Sequence, residues 1–369
     1  MVIEVNRREF LFIPLYFYLT KKLFAFKKDK NYNIVAPYTK GSDHHLGVFD
    51  TYGNKNFDIK LDARAHEILF IKDKNCILVF PRRPGTVILV IDITSGAVIK
   101  KILSPDNSHF YGHGAYSNKE RLLFVTENKY KYSDERSGSI AIYDPFKNFL
   151  RVGELKSRGL GPHEIKISRS GDIFIANGGV LTNPDYPNIK LNLNDMSSNL
   201  TILCRNGNLK EQINLKKSEY SFNSIRHIDI ANNGKVFAAC QNYSPGNAKH
   251  TELIFSYKNK KIEFYKLPKK SLKVINKYAG SIKVNHNLRT LLVTFPKGNK
   301  LIGWELDSKK VCLNESLFDV CGIVSNNQSF FNFASNGLGS LYKVTQNETK
   351  EIYKEKVKFD NHLSLIETN

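Results

Sequence analysis

Ten histidines occur in this 369-residue chain, and five of them open similar short segments. These are Arg64-Ala65-His66-Glu67, Gly112-His113-Gly114, Pro162-His163-Glu164, Arg226-His227-Ile228 and Asn361-His362-Leu363. Neutral imidazole is the commonest protein ligand for zinc, copper and iron. The five lie too far apart in sequence for a local metal motif, so they act together only if the fold gathers distant segments around one axis. The same residues also suit a structural role, with each histidine hydrogen-bonding within or between repeats. Arg64 and Arg226 stand just ahead of two of them. Arginine beside a ligand cluster disfavours a cation and suits a carboxylate or phosphate. Glu164, directly after His163, and the pair Glu127-Asn128 are further acid or ligand candidates. Catalysis by either carboxylate needs a shifted pKa, and Glu127 reads as solvated.

A second group lies between Ala176 and Asn199. This stretch is too long for a simple hairpin and carries Pro184, Pro187 and several asparagines. Loops of that length in compact domains are usually functional or disordered. Asn177, Lys190, Asn192 and Asp195 are its candidate ligand-binding residues, while a packed plug satisfied by asparagines is the other reading. A nucleophile elbow, a phosphate loop, a zinc-protease motif and a dinucleotide fingerprint are all absent from the sequence.

The elements around the histidines are short β runs. After His66 come Ile68–Ile71, Cys76–Phe80, Val87–Asp92 and Val98–Ile102, separated by turn residues. Segments Tyr278–Ile282 and Asp319–Ile323 fit the histidine slot without a histidine. The repeat starts are spaced from 41 residues (Cys321 to His362) to 64 residues (His163 to His227). Such a period with only β signals between means radial repetition of four-stranded sheets. The sequence thus predicts an all-β, seven-bladed propeller over residues 33–369, with each start at the head of a blade's innermost strand. Three N-terminal runs (Asn33–Ala36, Leu46–Asp50 and Phe57–Leu61) lack an inner partner, and His362–Ile366 supplies it, closing the ring. Asp50, Asp92, Asp144 and Asp307 end similar runs and read as turn residues.

The net charge is +20. With no arginine-rich block or interleaved stacking motif, it reads as lysine spread over solvated strand faces, and nucleic acid is not an expected partner. The five cysteines form no CxxC pair and read as buried small residues, with Cys321 set apart by its place at a repeat start. Residues 1–28 read as a twin-arginine-like signal or N-terminal tail. Arg7-Arg8 precedes the apolar run Phe12–Leu19, which is too short to span a bilayer.

The motifs together resemble an uncharacterised bacterial family of twin-arginine-exported, propeller-like proteins, grouped as a domain of unknown function. The resemblance rests on Arg64 with His66, Phe80–Gly85, Phe110–Gly114, Thr126–Asn128, Gly159–Glu164, Ala176–Gly179 and Asn183–Asp185. It continues through Lys190–Leu193, Met196, Ser224–His227, Tyr278–Ser281, Cys321-Gly322 and Asp360–His362. The chain departs from the family at Val180, where isoleucine is usual, and in its irregular export signal. The family is similar to quinoprotein-dehydrogenase-type, YVTN-like seven-bladed propellers and is discussed beside periplasmic iron-uptake components. The resemblance implies a periplasmic location, partners among metal-uptake proteins, a metal-linked role with iron or copper, and no transmembrane span in the mature chain. Two functions fit. One is a non-enzymatic binding or scaffold protein that uses His66, His113, His163, His227 and His362. The other is a metal-dependent propeller enzyme, an oxidoreductase or hydrolase, using the same place.

Overall fold

The structure, a computed structural model, describes residues 32–367 except 131–137, 187–188, 216–219, 247–251, 326–329 and 347. The export-signal reading of Arg7 and Arg8 lies outside the described residues. Seven antiparallel sheets form the blades of a propeller. Blade 1 takes Tyr32–Lys40, Asp43–Asp50 and Lys55–Leu61 from the N-terminal side. Its inner edge comes from the other end of the chain: Lys358–Phe359 and Ser364–Glu367 both pair with Tyr32–Lys40. This is the closure expected from the sequence, and it leaves no open blade in the ring. Blades 2 to 7 are successive four-stranded sheets whose inner strands are Ala65–Ile71, Ser108–Ser117, Pro162–Ile167, Asn223–Ile230, Ser281–Asn285 and Val320–Ser325.

Each neighbouring pair of blades shares its own apolar layer, so the ring has seven small cores rather than one. Between blades 5 and 6 that layer holds Phe237, Tyr265 and Trp304; between blades 2 and 3 it holds Phe80 and Phe110. Between blades 1 and 2 it holds Val35, Val79 and Ile366, which ties the closing strand into the ring. The second strand of blade 2, Cys76–Pro81, is buried along its whole length and reads as a near-continuous apolar run, whereas outer strands such as Val98–Leu103 are mostly exposed. The expected turn role of aspartate holds for Asp50, Asp92 and Asp144, which accept from backbone amides of the next turn, whereas Asp307 pairs with the Arg289 guanidinium.

The expected place at the head of the inner strand holds for His66 and His163, each the second residue of its strand, whereas His113 and His227 lie in mid-strand. In blades 2 to 5 the ladder is interrupted at or beside the histidine: between Ala65 and Ile68, Phe110 and Gly114, Pro162 and Glu164, and Ile225 and His227. A bulge inserts unpaired residues and re-aims a side chain. Here it turns each imidazole towards the axis while apolar neighbours keep facing the inter-blade layers. His362 lies between the two short C-terminal strands of blade 1.

Candidate functional site: a histidine cluster on the channel axis

Five consecutive blades each place one histidine on the axis: His362 from blade 1, then His66, His113, His163 and His227. The rings are in mutual contact. Centroids lie 4.6 Å apart for His66 and His362, 4.8 Å for His66 and His113, and 4.9 Å for His113 and His163. The pairs His163–His227 and His227–His362 are both 4.8 Å apart. All five side chains are buried. Gly112 makes room for this packing. Its φ is +97°, and a Cβ there would meet the His66 ring at 2.8 Å and the Pro81 carbonyl at 3.0 Å.

The chemistry of the donors fits a metal. His66 Nδ1, His113 Nε2, His163 Nδ1 and His362 Nε2 are buried with no hydrogen-bond partner. Buried polar atoms in native structures nearly always have one, so these unpartnered nitrogens in a cluster of packed imidazoles call for a partner. Two triads, His66–His113–His163 and His113–His227–His362, have ligand atoms within 4.8 Å of one another, and His113 belongs to both. Bonds of about 2.0–2.1 Å put tetrahedral nitrogens about 3.3 Å apart, so closing on an ion needs shifts of about 1 Å or less. Burial holds His66, His163 and His362 well below the ordinary imidazole pKa; neighbouring imidazoles add to it in all three, Arg82 adds to it in His66 and Arg226 in His163, and Glu164 and Glu67 oppose it in His362. Burial also takes His227 down to about 4, against the opposing pull of Glu164. These four rings are therefore neutral at physiological pH, the form that ligates metals.

Beneath the rings lies a carboxylate layer that the sequence reading identified only in part. Glu164 of blade 4 accepts from His227 Nδ1 at 3.1 Å and from the Ile228 amide at 2.9 Å, both in blade 5. Glu67 of blade 2 does the same in blade 3, to His113 Nδ1 at 3.0 Å and the Gly114 amide at 3.2 Å. Lys166 bridges the two carboxylates, at 2.6 Å from Glu164 and 3.2 Å from Glu67. Burial alone would raise both acids, but Lys166 and the histidines overcome it, bringing Glu67 to about 2 and Glu164 well below its usual range. Burial also works against the Lys166 ammonium, yet the two carboxylates hold its pKa above normal. An ionised carboxylate only accepts, so Nδ1 of His113 and of His227 carries the hydrogen, and in the neutral His227 ring Nε2 keeps its lone pair. Such partners fix tautomer and ring orientation in metal sites. The repeated His-Glu dipeptides at 66–67 and 163–164 were the visible signal for Glu67. Nothing local in the sequence marked Lys166.

Above the rings the channel opens into a cavity lined by His66, His163, His227, Arg82, Arg83, Arg226, Tyr111, Tyr278 and Asn361. Arg83 lies over the Tyr111 ring at 5.4 Å, and the buried Arg226 Nε has no partner. Arg64 and Arg82 both face Asp360, at 2.5 and 3.6 Å. A neighbouring crevice adds Lys297, Lys358, Asp319 and Cys321. Cys321 is a packed thiol: burial pushes it up to about 12, and its sulfur faces the Asp360 carbonyl at 3.3 Å.

The remaining sequence candidates divide. Lys190 reaches the mouth, where it lines a pocket with Arg82, Arg83, His109, Thr182 and Asn183. The long segment therefore reaches the histidine end of the channel. Asn192 is internal to that segment, accepting from the Leu181 amide at 2.7 Å and donating to the Gly179 carbonyl at 3.0 Å. Asp195 is exposed and lines none of these cavities. Asn177 does not join the imidazoles. It is buried in blade 4, where it donates to the Ser157 carbonyl, Asn199 and Thr201. Glu127 is not a solvated carboxylate: it is fully buried and held by both guanidinium nitrogens of Arg151, at 2.8 and 2.9 Å. Asn128 lies within hydrogen-bond distance of His109 Nε2, at 3.2 Å, and does not touch the cluster.

The fold and the axial cluster define a seven-bladed β-propeller with a histidine-lined channel end. The chain belongs to the family described as "Protein of unknown function (DUF1513)", whose model matches residues 59–366. No curated protein matches it. Among solved structures it is similar to Kuenenia stuttgartiensis hydrazine synthase, with a TM-score of 0.62 and 12% identity over 85% of this chain and 90% of that one. It is also similar to Chaetomium thermophilum Raptor, with a TM-score of 0.57 and 10% identity over 80% of this chain but only 25% of that one. At such identities the likeness is one of fold alone. Among the described residues no helix is long and apolar enough to cross a membrane.

Proposed function

We propose that this protein is a periplasmic metal-binding propeller, a binding or scaffold protein in iron or copper handling, exported by the twin-arginine route. The observation that carries the reading is the pair of buried histidine triads sharing His113, four of whose nitrogens have no hydrogen-bond partner. All-imidazole sites suit copper, iron and zinc rather than magnesium or calcium. Glu67 and Glu164 would orient His113 and His227 from behind. Metal-uptake proteins of the same compartment are the partners this role implies.

Equilibrium dialysis of the metal-free protein against Fe(II), Cu(I) and Cu(II), with metal analysis, tests it. The reading expects one ion per chain, held at micromolar free metal or below. His113→Asn, which removes the residue common to both triads, should lose it, as should His163→Asn if the first variant folds poorly. Absence of stoichiometric binding overturns the proposal. A metal-dependent enzyme, an oxidoreductase or hydrolase, is the second reading. The open cavity in front of His66, His163 and His227 favours it, because catalytic metals keep one face accessible. Redox or hydrolytic turnover that requires added metal would separate the two.

A further inference from the structure

We infer that the cavity above the histidines is an anion site, built to hold a small oxyanion, a carboxylate or phosphate, between Arg83 and Arg226. The inference deepens the metal-binding reading by naming the second ligand of that site. Its basis is charge. Within the histidine cluster and its cavity, Glu67 and Glu164 are the acids, and both are already engaged by Lys166 and the histidines. Arg83 and Arg226 line the cavity with no carboxylate at ion-pair distance among the described residues, and Asp360 is taken by Arg64 and Arg82. Two acids thus face three cations before any metal is added. Neutral imidazoles contribute no compensating charge to a bound divalent ion. A pocket with that excess recruits an anion.

Geometry points the same way. Burial lowers the pKa of Arg83, and Arg226 adds to that effect, so the two guanidinium groups are close enough to repel. The buried Arg226 Nε lacks an acceptor. A guanidinium offers a planar fork that matches carboxylate and phosphate oxygens. Tyr111 and Tyr278 wall the same cavity, and Asn361 adds an amide. His66, His163 and His227 line the same cavity, so an oxyanion held by the arginines would have an oxygen within reach of the metal. Lys190 stands over the outer pocket with Arg82 and Arg83, and its ammonium pKa is lowered by burial and then by Arg83 and Arg226. The mouth is therefore cationic from entrance to floor, which disfavours a bare cation and favours entry as an anionic chelate.

Calorimetry tests this. The whole protein is titrated with Cu(II) in a non-coordinating buffer, alone and with 1 mM citrate or 1 mM phosphate bound first; separate arms titrate each anion into the metal-free protein. The inference expects the anion to tighten apparent metal binding at least tenfold after correction for free chelation, and binding coupling is reciprocal. R83Q/R226Q should abolish that coupling and melt within a few degrees of the parent, while its anion-free metal affinity holds or tightens because two cations have left the cavity. R83K/R226K, which keeps the charges without the fork, should retain part of it. The citrate and phosphate arms separate a carboxylate ligand from a phosphate. Metal affinity indifferent to either anion, or coupling that survives R83Q/R226Q, overturns the inference and leaves metal binding standing. If no metal binds at all, the proposed function falls, and the metal-free arms decide. Anion binding lost in R83Q/R226Q then upholds the anion site, and no anion binding overturns it.

Discussion

Replacing Glu164 with glutamine keeps its shape and removes one acceptor from a layer in which every acceptor is in use. Oε2 of Glu164 serves both His227 Nδ1 and the Ile228 amide, while Oε1 faces Lys166. An amide has one oxygen. If that oxygen stays with His227 and Ile228, the amide NH2 points at the Lys166 ammonium, donor against donor. If the amide flips, its NH2 faces the Ile228 N–H and donates to His227 Nδ1, which moves the ring hydrogen to Nε2 and blocks the ligating nitrogen. Breaking a buried pair by removing one charge costs about 3–5 kcal/mol. Lys166 keeps Glu67 at 3.2 Å, so E164Q belongs at the lower end, about 3 kcal/mol. Loss of a carboxylate partner to a ligating histidine typically costs about 10- to 100-fold in metal affinity. Urea unfolding of the metal-free protein reads the first quantity, and competition against a chromophoric chelator reads the second. E127Q is the control, because Glu127 is an equally buried acid paired with Arg151 and remote from the cluster. It should destabilise and leave metal affinity unchanged. If E164Q keeps full metal affinity, or if both variants lose it alike, the orienting role of Glu164 is wrong.

Closure, protonation and export each give a further expectation. Deleting the residues after Phe359 removes the strand paired to Tyr32–Val35 and the buried side chains of Leu363 and Ile366, worth about 2 kcal/mol each by area. The denaturation midpoint should fall for the whole ring, and a midpoint matching the full chain would show that closure is dispensable. The metal-free protein should lose stability as pH falls below about 6.5, because the unfolded chain then binds protons that the buried rings refuse. For His227 the window runs down to about 4, and the loss reaches about 3 kcal/mol at its lower end. Glu67, held near 2 against an ordinary 4.5, adds a loss in the same direction at still lower pH. Stability that is flat from pH 7 to 5 would contradict neutral buried imidazoles. Lysine at both Arg7 and Arg8 should keep the protein in the cytoplasm, read by fractionation, and unchanged delivery would show the pair to be accidental.

Much of the fold was legible because its signals are local and repeated. Short apolar runs, turn aspartates and the orphan N-terminal strands gave seven blades and the closure by His362–Ile366. The convergence of the five histidines followed from their common place in each repeat. What escaped is lateral. Glu67 and Lys166 act on residues of other blades, and no periodicity along the chain records which side chain reaches across. Glu127 looked solvated because its partner, Arg151, lies on the outer strand of the same blade, two ladders away. Asn177 sits at the correct end of the channel, but its side chain faces the blade interior, and one residue of register decides between those faces. Arg82 and Arg83 stood out only as part of a family motif, because a hairpin sequence does not say what its tip overhangs.

The central claim is that the axial histidines hold a metal, and anomalous diffraction tests it most directly. In crystals grown with Cu(II) or Fe(II), an anomalous peak should lie on the channel axis within about 2.0–2.2 Å of His113 Nε2 and at least two further imidazole nitrogens. An empty axis with the histidines unmoved, or a peak bound only at the surface, would contradict it.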